Sequence, residues 1–262
     1  MNEIKKIIIP ISDFDNKFLP LSKVFPRELW PLGSRPVIEY LLKEVKDTGI
    51  ENIIFVVSED KKIVLNYLKN DSKIKKILKD NKDEDGLKAL ESLEELVKDL
   101  NFTSIKQNRR LGHGHAILQA SSKILKEEAF AVMTSNNIVD SETPCMQQLI
   151  DIYSTSLKPV VALKRVESGP IVQVDKIANK VFKIKKIQGE GPGLGIVGKY
   201  VLTPEIFEFL KKNNREEITL ADTFADMLQA GKTIYGYEFE GIHLEIKDKE
   251  SYIKTNQYFN EH

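Results

Sequence analysis

The chain has 262 residues, of which 41% are hydrophobic and 30% charged, the profile of an ordinary folded protein with enough apolar material for a substantial core. Lys+Arg and Asp+Glu both number 39, so the net charge is zero and a chain-wide basic field for nucleic acid is excluded. No apolar run approaches the ~20 residues needed to span a bilayer. The single cysteine, Cys145, rules out an internal disulfide framework. The opening MNEIKKIIIPIS makes a poor signal peptide and a good first strand, and a cytoplasmic location is the default expectation.

Ile7–Ile9 is a continuous β-branched run, which predicts a strand covered on both faces. From Pro36 to Lys46, Val37, Ile38, Leu41, Leu42 and Val45 recur at helical spacing, and Gly49 is the stop signal. Residues 53–57 are the next strand, and 59–69 a helix. This alternation predicts a parallel sheet with helices on both sides. Residues 70–100 are rich in Lys, Asp and Glu but keep a leucine stripe, and read as two surface helices around an acidic loop at 80–85. A strand at 102–106, a helix at 115–126, a strand at 129–133, a helix at 146–153 and a strand at 160–163 follow. From 171 to 202 the pattern turns to strands with Gly-rich breaks. Helices are expected at 204–210 and 220–228. Residues 234–239 and 242–246 read as a strand pair around Glu240-Gly241, and a final helix covers about 249–260. No linker or repeat interrupts the pattern, so one domain over 1–262, with a helical insertion at about 70–100, is the simplest organisation.

Five motifs in order carry a family resemblance. Leu19-Pro20, Pro26-Arg27-Glu28-Leu29, Pro31-Leu32 and Arg35-Pro36 repeat the grammar L-P, P-K-E-x-L-P-L and K-P. Lys106-Gln107 followed by Gly112-His113-Gly114-His115-Ala116 matches R-Q and a run ending G-L-G-H-A. Residues 195–202, GIVGKYVL, match G-x-V-G-R-Y-V-L, and residues 222–228 match a D-A-I-x-x-L helix. Together they make the chain resemble the UTP–glucose-1-phosphate uridylyltransferases, a branch of the nucleotide-sugar pyrophosphorylases. The resemblance implies a Rossmann-like α/β nucleotidyltransferase fold, a three-layer sandwich with a mixed, mostly parallel central sheet. It also implies that UTP and glucose 1-phosphate become UDP-glucose and pyrophosphate with Mg²⁺. The resemblance points to a homodimer, which nothing in the chain itself shows.

That reaction needs a loop admitting a triphosphate, cations for its charge and carboxylates for the metal. The family loop G-x-G-T-R aligns with Asp13-Phe14-Asp15-Asn16-Lys17. Two aspartates replace glycines there, and a carboxylate ~5 Å from a phosphate in an effective dielectric of ~20 repels it by ~3 kcal/mol. The reading leaves open a loop that no longer grips triphosphate and a rearranged loop in which Asp13 or Asp15 recruits metal. Ser12 and Asp13 fall to the nucleotide-binding loop, and Lys17 keeps the charge of the family Arg. Arg27 stands for the family Lys of P-K-E. Lys186 is the remaining catalytic candidate: on one register of 185–188 it replaces a sugar-binding Glu, and on a one-residue slip it restores the family Lys. A slip of one residue reverses every side chain's face, so the registers differ sharply. Asn136 and Glu245 stand at the two metal-ligand Asp positions, which implies a weakened Mg²⁺ site. Gln107, Gly112, Gly114 and His115 match the nucleoside end, and an amide at Gln107 suits reading a base edge. Gly169 and Gly198 fall on the sugar side.

Two nucleotide-site readings and one structural reading follow. One is a uridylyltransferase, with activity impaired by the departures, whose partners are UTP and a sugar 1-phosphate or a UDP-sugar. The other is a catalytically inactive relative that binds nucleotide or nucleotide-sugar in a regulatory role. A purely structural protein on the same fold is a third, resting on the charged 70–100 surface.

Overall fold

The computed structural model describes residues 3–167 and 169–262. The first strand, β1 (Lys6–Ile11), shows why its apolar run is unbroken. Ile7 and Ile9 point into one buried cluster and Ile8 into a second on the opposite face. A ribbon of β2 (Pro31–Leu32) and β3 (Arg35–Pro36) leads into α1 (Val37–Asp47), whose apolar stripe lies in the first cluster. Strand β4 (Asn52–Val57) pairs in parallel with β1. The helix expected at 59–69 is shorter, a 3-10 turn at Glu59–Lys61 followed by α2 (Lys62–Tyr67).

The insertion forms α3 (Ser72–Asp80) and α4 (Glu84–Val97). Each is capped by an aspartate: Asp71 accepts from the N–H groups of Lys73 and Ile74, and Asp83 from that of Gly86. Leu93, Leu96 and Val97 hold α4 against the first core. Strand β5 (Asn101–Lys106) then forms the sheet edge beside β4. Helix α5 (Gly112–Gln119) precedes β6 (Phe130–Met133), which pairs in parallel with β1. After a short strand β7 (Asn137–Asp140) comes α6 (Cys145–Ser156).

Four long strands follow in the second half: β8 (Val160–Val166), β9 (Pro170–Ala178), β10 (Val181–Glu190) and β11 (Gly193–Leu202). Helices α7 (Ile206–Lys212) and α8 (Leu220–Gln229) cover the second cluster, and β12 (Tyr235–Glu238), β13 (Ile242–Glu245) and α9 (Lys249–Glu261) end the chain. The nine-stranded sheet runs β5-β4-β1-β6-β11-β8-β12-β10-β9.

Two expectations are corrected. The sheet is not mostly parallel: β5, β4, β1 and β6 run parallel, while β11 turns against β6 and most of the pairings beyond it are antiparallel. The strands around Glu240-Gly241 do not pair with each other. Strand β12 enters the main sheet beside β8, and β13 pairs with β7 in a separate ribbon. The corner between them is held by other side chains. The Gln148 amide both donates to the Glu240 carbonyl at 3.0 Å and accepts from its N–H at 2.8 Å, and Lys164 Nζ donates to the Gly241 carbonyl at 2.8 Å. No helix among the described residues is long and apolar enough to cross a membrane.

Candidate active site

Loops after the carboxyl ends of β1 and β6 meet β11 and β13 around a cleft of about 560 Å³. Open α/β sheets place their ligand crevices at this end of the strands. Asp13, Lys17, Arg27, Asn136, Gly169, Gly198 and Glu245 all line it, so seven residues scattered through the sequence converge. Ser12, Gln107, Gly112, Gly114 and His115 are not among its lining residues, and neither is Lys186. Ile184 is buried in the second cluster and Ile187 packs partly against it, three residues apart on one strand. A register shift between Ile184 and Lys186 permits this, and Lys186 is exposed.

The loop shows what one aspartate does. The Asp15 side chain is only 3% exposed and accepts from Arg27 Nη1 at 2.9 Å and Lys61 Nζ at 2.8 Å. Lys61 also reaches Glu28 Oε1 at 3.1 Å, and Ser135 Oγ donates to the same oxygen at 2.8 Å. Arg27 Nη1 donates further to the Ile246 carbonyl at 3.2 Å, and Nη2 to Ser135 Oγ at 3.3 Å. Two carboxylates thus face two cations, all nearly buried. Burial alone would raise the Glu28 pKa; the charges of Lys61 and Arg27 and hydrogen bonds from its own backbone and Ser135 outweigh it and hold the carboxyl below its ordinary value. The expected repulsion of a triphosphate by both aspartates is therefore reduced to one. Asp15 is neutralised within the protein, while Asp13 is exposed to the cleft. The same pairing occupies Arg27. Lys17 is exposed at the cleft and makes no ion pair within 4 Å among the described residues.

The nucleoside-end candidates form a compact group. Gln107 is buried, and its Nε2 lies 2.7 Å from His115 Nδ1 and 3.4 Å from the Gly112 carbonyl. Its Oε1 is buried without a partner, as is Ser12 Oγ. Buried acceptors are rarely left open in folded proteins, which marks this oxygen as one that wants a donor, and Gln107 is not among the residues lining the cleft. The Ser12 carbonyl accepts from Arg110 Nε at 3.0 Å, and the Arg110 guanidinium lies over the Phe14 ring at 5.3 Å. Gly112 has φ +85°, and a Cβ there would meet the Ile218 carbonyl at 2.7 Å, so the turn into α5 needs glycine. Gly114 donates to the same carbonyl at 2.8 Å. His113 lines the cleft, and its Nε2 accepts the Leu220 N–H at 3.1 Å, which leaves the proton on Nδ1. Burial depresses its pKa against the pull of Asp13, Glu217 and Asp222.

On the far wall, Gly198 is required by contact. A Cβ would come within 1.8 Å of Thr134 Oγ1. Gly169, at φ +121°, has open space around it. Asn137 Nδ2 donates to Asn136 Oδ1 at 3.0 Å and to Thr134 Oγ1 at 2.9 Å, and its Oδ1 lies 2.7 Å from His243 Nε2. Burial, reinforced by Lys199, Lys164 and Lys247, lowers the His243 pKa to about 4, so the ring is neutral at pH 7.

The metal donors are thin. Asn136 offers a neutral oxygen already accepting from Asn137, and Glu245 Oε2 lies 3.3 Å from Lys247 Nζ. No group of three or more His, Cys, Asp or Glu able to hold a metal occurs among the described residues. Mg²⁺ at a phosphate site is ordinarily held by one or two carboxylates together with the substrate's phosphates; here the one carboxylate, Glu245, is paired with Lys247 and the other donor, Asn136, is neutral, so these residues fit it poorly.

Lys61, Lys247, His243 and Ser135 were not anticipated from the sequence. Lys61 sits in the run Glu59-Asp60-Lys61-Lys62, which looks like any solvated surface. Lys247 lay two residues from a candidate metal ligand, the one signal available.

Comparison with known proteins places this cleft in context. Residues 15–261 match the family model described as nucleotidyl transferase. The UTP–glucose-1-phosphate uridylyltransferase 2 of Staphylococcus saprophyticus is 33% identical, over 97% of this chain and 91% of its own. The corresponding enzyme of Staphylococcus haemolyticus is 31% identical, over 97% and 92%. A UTP-bound UGPase from Acinetobacter baumannii superposes with a TM-score of 0.89 at 29% identity, covering 99% of this chain and 95% of that one. A UDP-glucose pyrophosphorylase complexed with UDP-glucose gives 0.86 at 25% identity, covering 99% of each.

Proposed function

Since the chain belongs to the nucleotidyl transferase family, we propose that it acts as a UTP–glucose-1-phosphate uridylyltransferase with lowered activity. The observation that carries this is the cleft itself. Seven separately placed candidates meet in it, on a fold shared over 99% of the chain with a UTP-bound relative.

In this reading an oxygen of the sugar phosphate attacks the α-phosphorus of UTP. The bond from that phosphorus to its bridging oxygen breaks, and pyrophosphate leaves with the electron pair. Catalysis rests on positioning and charge. Gln107 Oε1 accepts from the base, and Ser12 closes the same end. Lys17 faces the phosphates as a cation without an ion pair among the described residues, and Arg27 contributes only as far as Asp15 releases it. Gly198 leaves room for the sugar side, and Gly169 shapes the opposite rim. Enzymes of this type use Mg²⁺; in this chain Asn136 and Glu245 stand where it would bind and fit it poorly, so no step is assigned to it. Lys186 has no role in this scheme.

The Asp15–Arg27 ion pair favours a second reading, in which the chain binds nucleotide or nucleotide-sugar in a regulatory role and turnover is lost. Pyrophosphate release from UTP and glucose 1-phosphate separates the two. Slow, UTP-selective release supports the enzyme. Folded protein that binds UDP-glucose and releases none with any nucleotide or sugar phosphate supports the second reading.

A further inference from the structure

The cleft has an unusual charge balance. Its charged lining residues are Asp13, Asp15 and Glu245 against Lys17, Arg27 and Lys247, and both histidines there are neutral by the depression of their pKa values. Any phosphate entering must find its neutralising charge among these groups or bring it along.

The place where a divalent cation would serve already holds the positive charge of Lys247. Lys247 Nζ lies 3.3 Å from Glu245 Oε2, and both side chains line the cleft. The other oxygen donor, Asn136, carries no charge and is tied to Asn137 at 3.0 Å. The Ile246 carbonyl, between Glu245 and Lys247, accepts from Arg27 Nη1 at 3.2 Å, so a second cation borders the same spot. A divalent ion at Glu245 would stand beside the Lys247 ammonium, with Arg27 already offset by Asp15 and Glu245 itself already paired.

Resting on the nucleotide-sugar reading above, we infer that Lys247 replaces the divalent cation as the charge partner of the ligand's phosphates, so that a nucleotide-sugar binds without metal. An ammonium group is a compact phosphate binder with three N–H donors. The Lys247 side chain is 54% exposed, and an ion pair so open is weak, so the ammonium moves from Glu245 to a phosphate oxygen at little cost. A diphosphate ester, which carries less charge than a triphosphate, is the better match to a cleft so balanced.

The test is calorimetric binding of UDP-glucose to the full chain, with EDTA and with millimolar Mg²⁺. Wild type should bind with dissociation constants within about threefold of each other, and Lys247→Ala should weaken binding in EDTA about tenfold. Lys247→Arg should retain most of the affinity, which a packing role for the lysine would not predict. The double variant Asn136→Asp, Lys247→Gly should become Mg²⁺-dependent. Circular dichroism verifies that each variant is folded. Mg²⁺ tightening wild-type binding about tenfold, or Lys247→Ala binding like wild type in EDTA, overturns the inference while leaving the nucleotide-sugar reading standing. Failure to bind either UDP-glucose or UTP under both conditions takes down that reading and this inference with it.

Discussion

Replacing Asp15 by asparagine keeps the shape of the loop and removes one charge from a nearly closed set of four. Asp15 holds Arg27 at 2.9 Å and Lys61 at 2.8 Å, with all three side chains at most 11% exposed. At such distances and an effective dielectric of ~20, each attraction is ~6 kcal/mol before the costs of desolvation and of the nearby Glu28 charge. What survives those costs, when one member of a buried pair is removed, is about 3–5 kcal/mol. That is a large part of the ~5–15 kcal/mol that holds a typical domain folded. Urea unfolding at pH 7 should therefore show a clear fall in midpoint with unchanged slope. The same change leaves the Arg27 guanidinium without its carboxylate at the cleft wall. Affinity for UTP should rise about tenfold, equivalent to ~1.4 kcal/mol. Loss of stability with gain of triphosphate affinity is the signature. If Asp15→Asn unfolds within about 0.5 kcal/mol of wild type, the size of a neutral surface change, the buried-network reasoning fails. If stability falls but UTP affinity is unchanged, Arg27 is not a phosphate ligand held in check.

Gln107→Leu should weaken uridine-nucleotide binding by about 1–3 kcal/mol, because the unpartnered Oε1 is then absent from the base edge. Competition against other nucleotides reads this, and undiminished uridine preference would exclude Gln107 from base reading. Acid sensitivity should trace partly to Glu28. Its folded pKa lies below the unfolded one, so its contribution is complete above the unfolded value of roughly 4.3 and is lost as pH falls through the folded pKa. Urea midpoints between pH 3 and 6 should thus decline for wild type and decline less steeply for Glu28→Gln; parallel curves would show that another group carries the acid loss.

The framework of the fold was legible where local pattern and tertiary environment agree. The Ile7–Ile9 run and the α1 stripe each encode burial directly, and both elements form as expected. The strand β7 was missed because Asn137–Asp140 has no alternation and owes its extension to pairing with β13. The same distant pairing undid the expected hairpin at Glu240-Gly241, since two adjacent strands with a tight turn are indistinguishable in sequence from two strands leaving for different sheets. At the site, motif spacing located the residues that converge. It could not assign partners. Asp15 read as a free charge because nothing near it in sequence announces Lys61, forty-six positions on, as its counterion. Lys186 was ambiguous for a related reason: the bulge that fixes its face is a property of pairing with β9.

The seam where β11 turns against β6 divides the proposed binding residues by ancestry of support. Residues proposed to read the nucleoside stand on the parallel half, after β1 and β5 and at the start of α5. Those proposed to face the sugar stand on β11 and the bend before β9. If those proposed roles hold, the two recognition tasks rest on separate scaffolding joined along one ladder. Changes that retune the choice of sugar can accumulate in the antiparallel half without disturbing the reading of the base, and a chain of this build can keep its nucleotide while exchanging its second substrate.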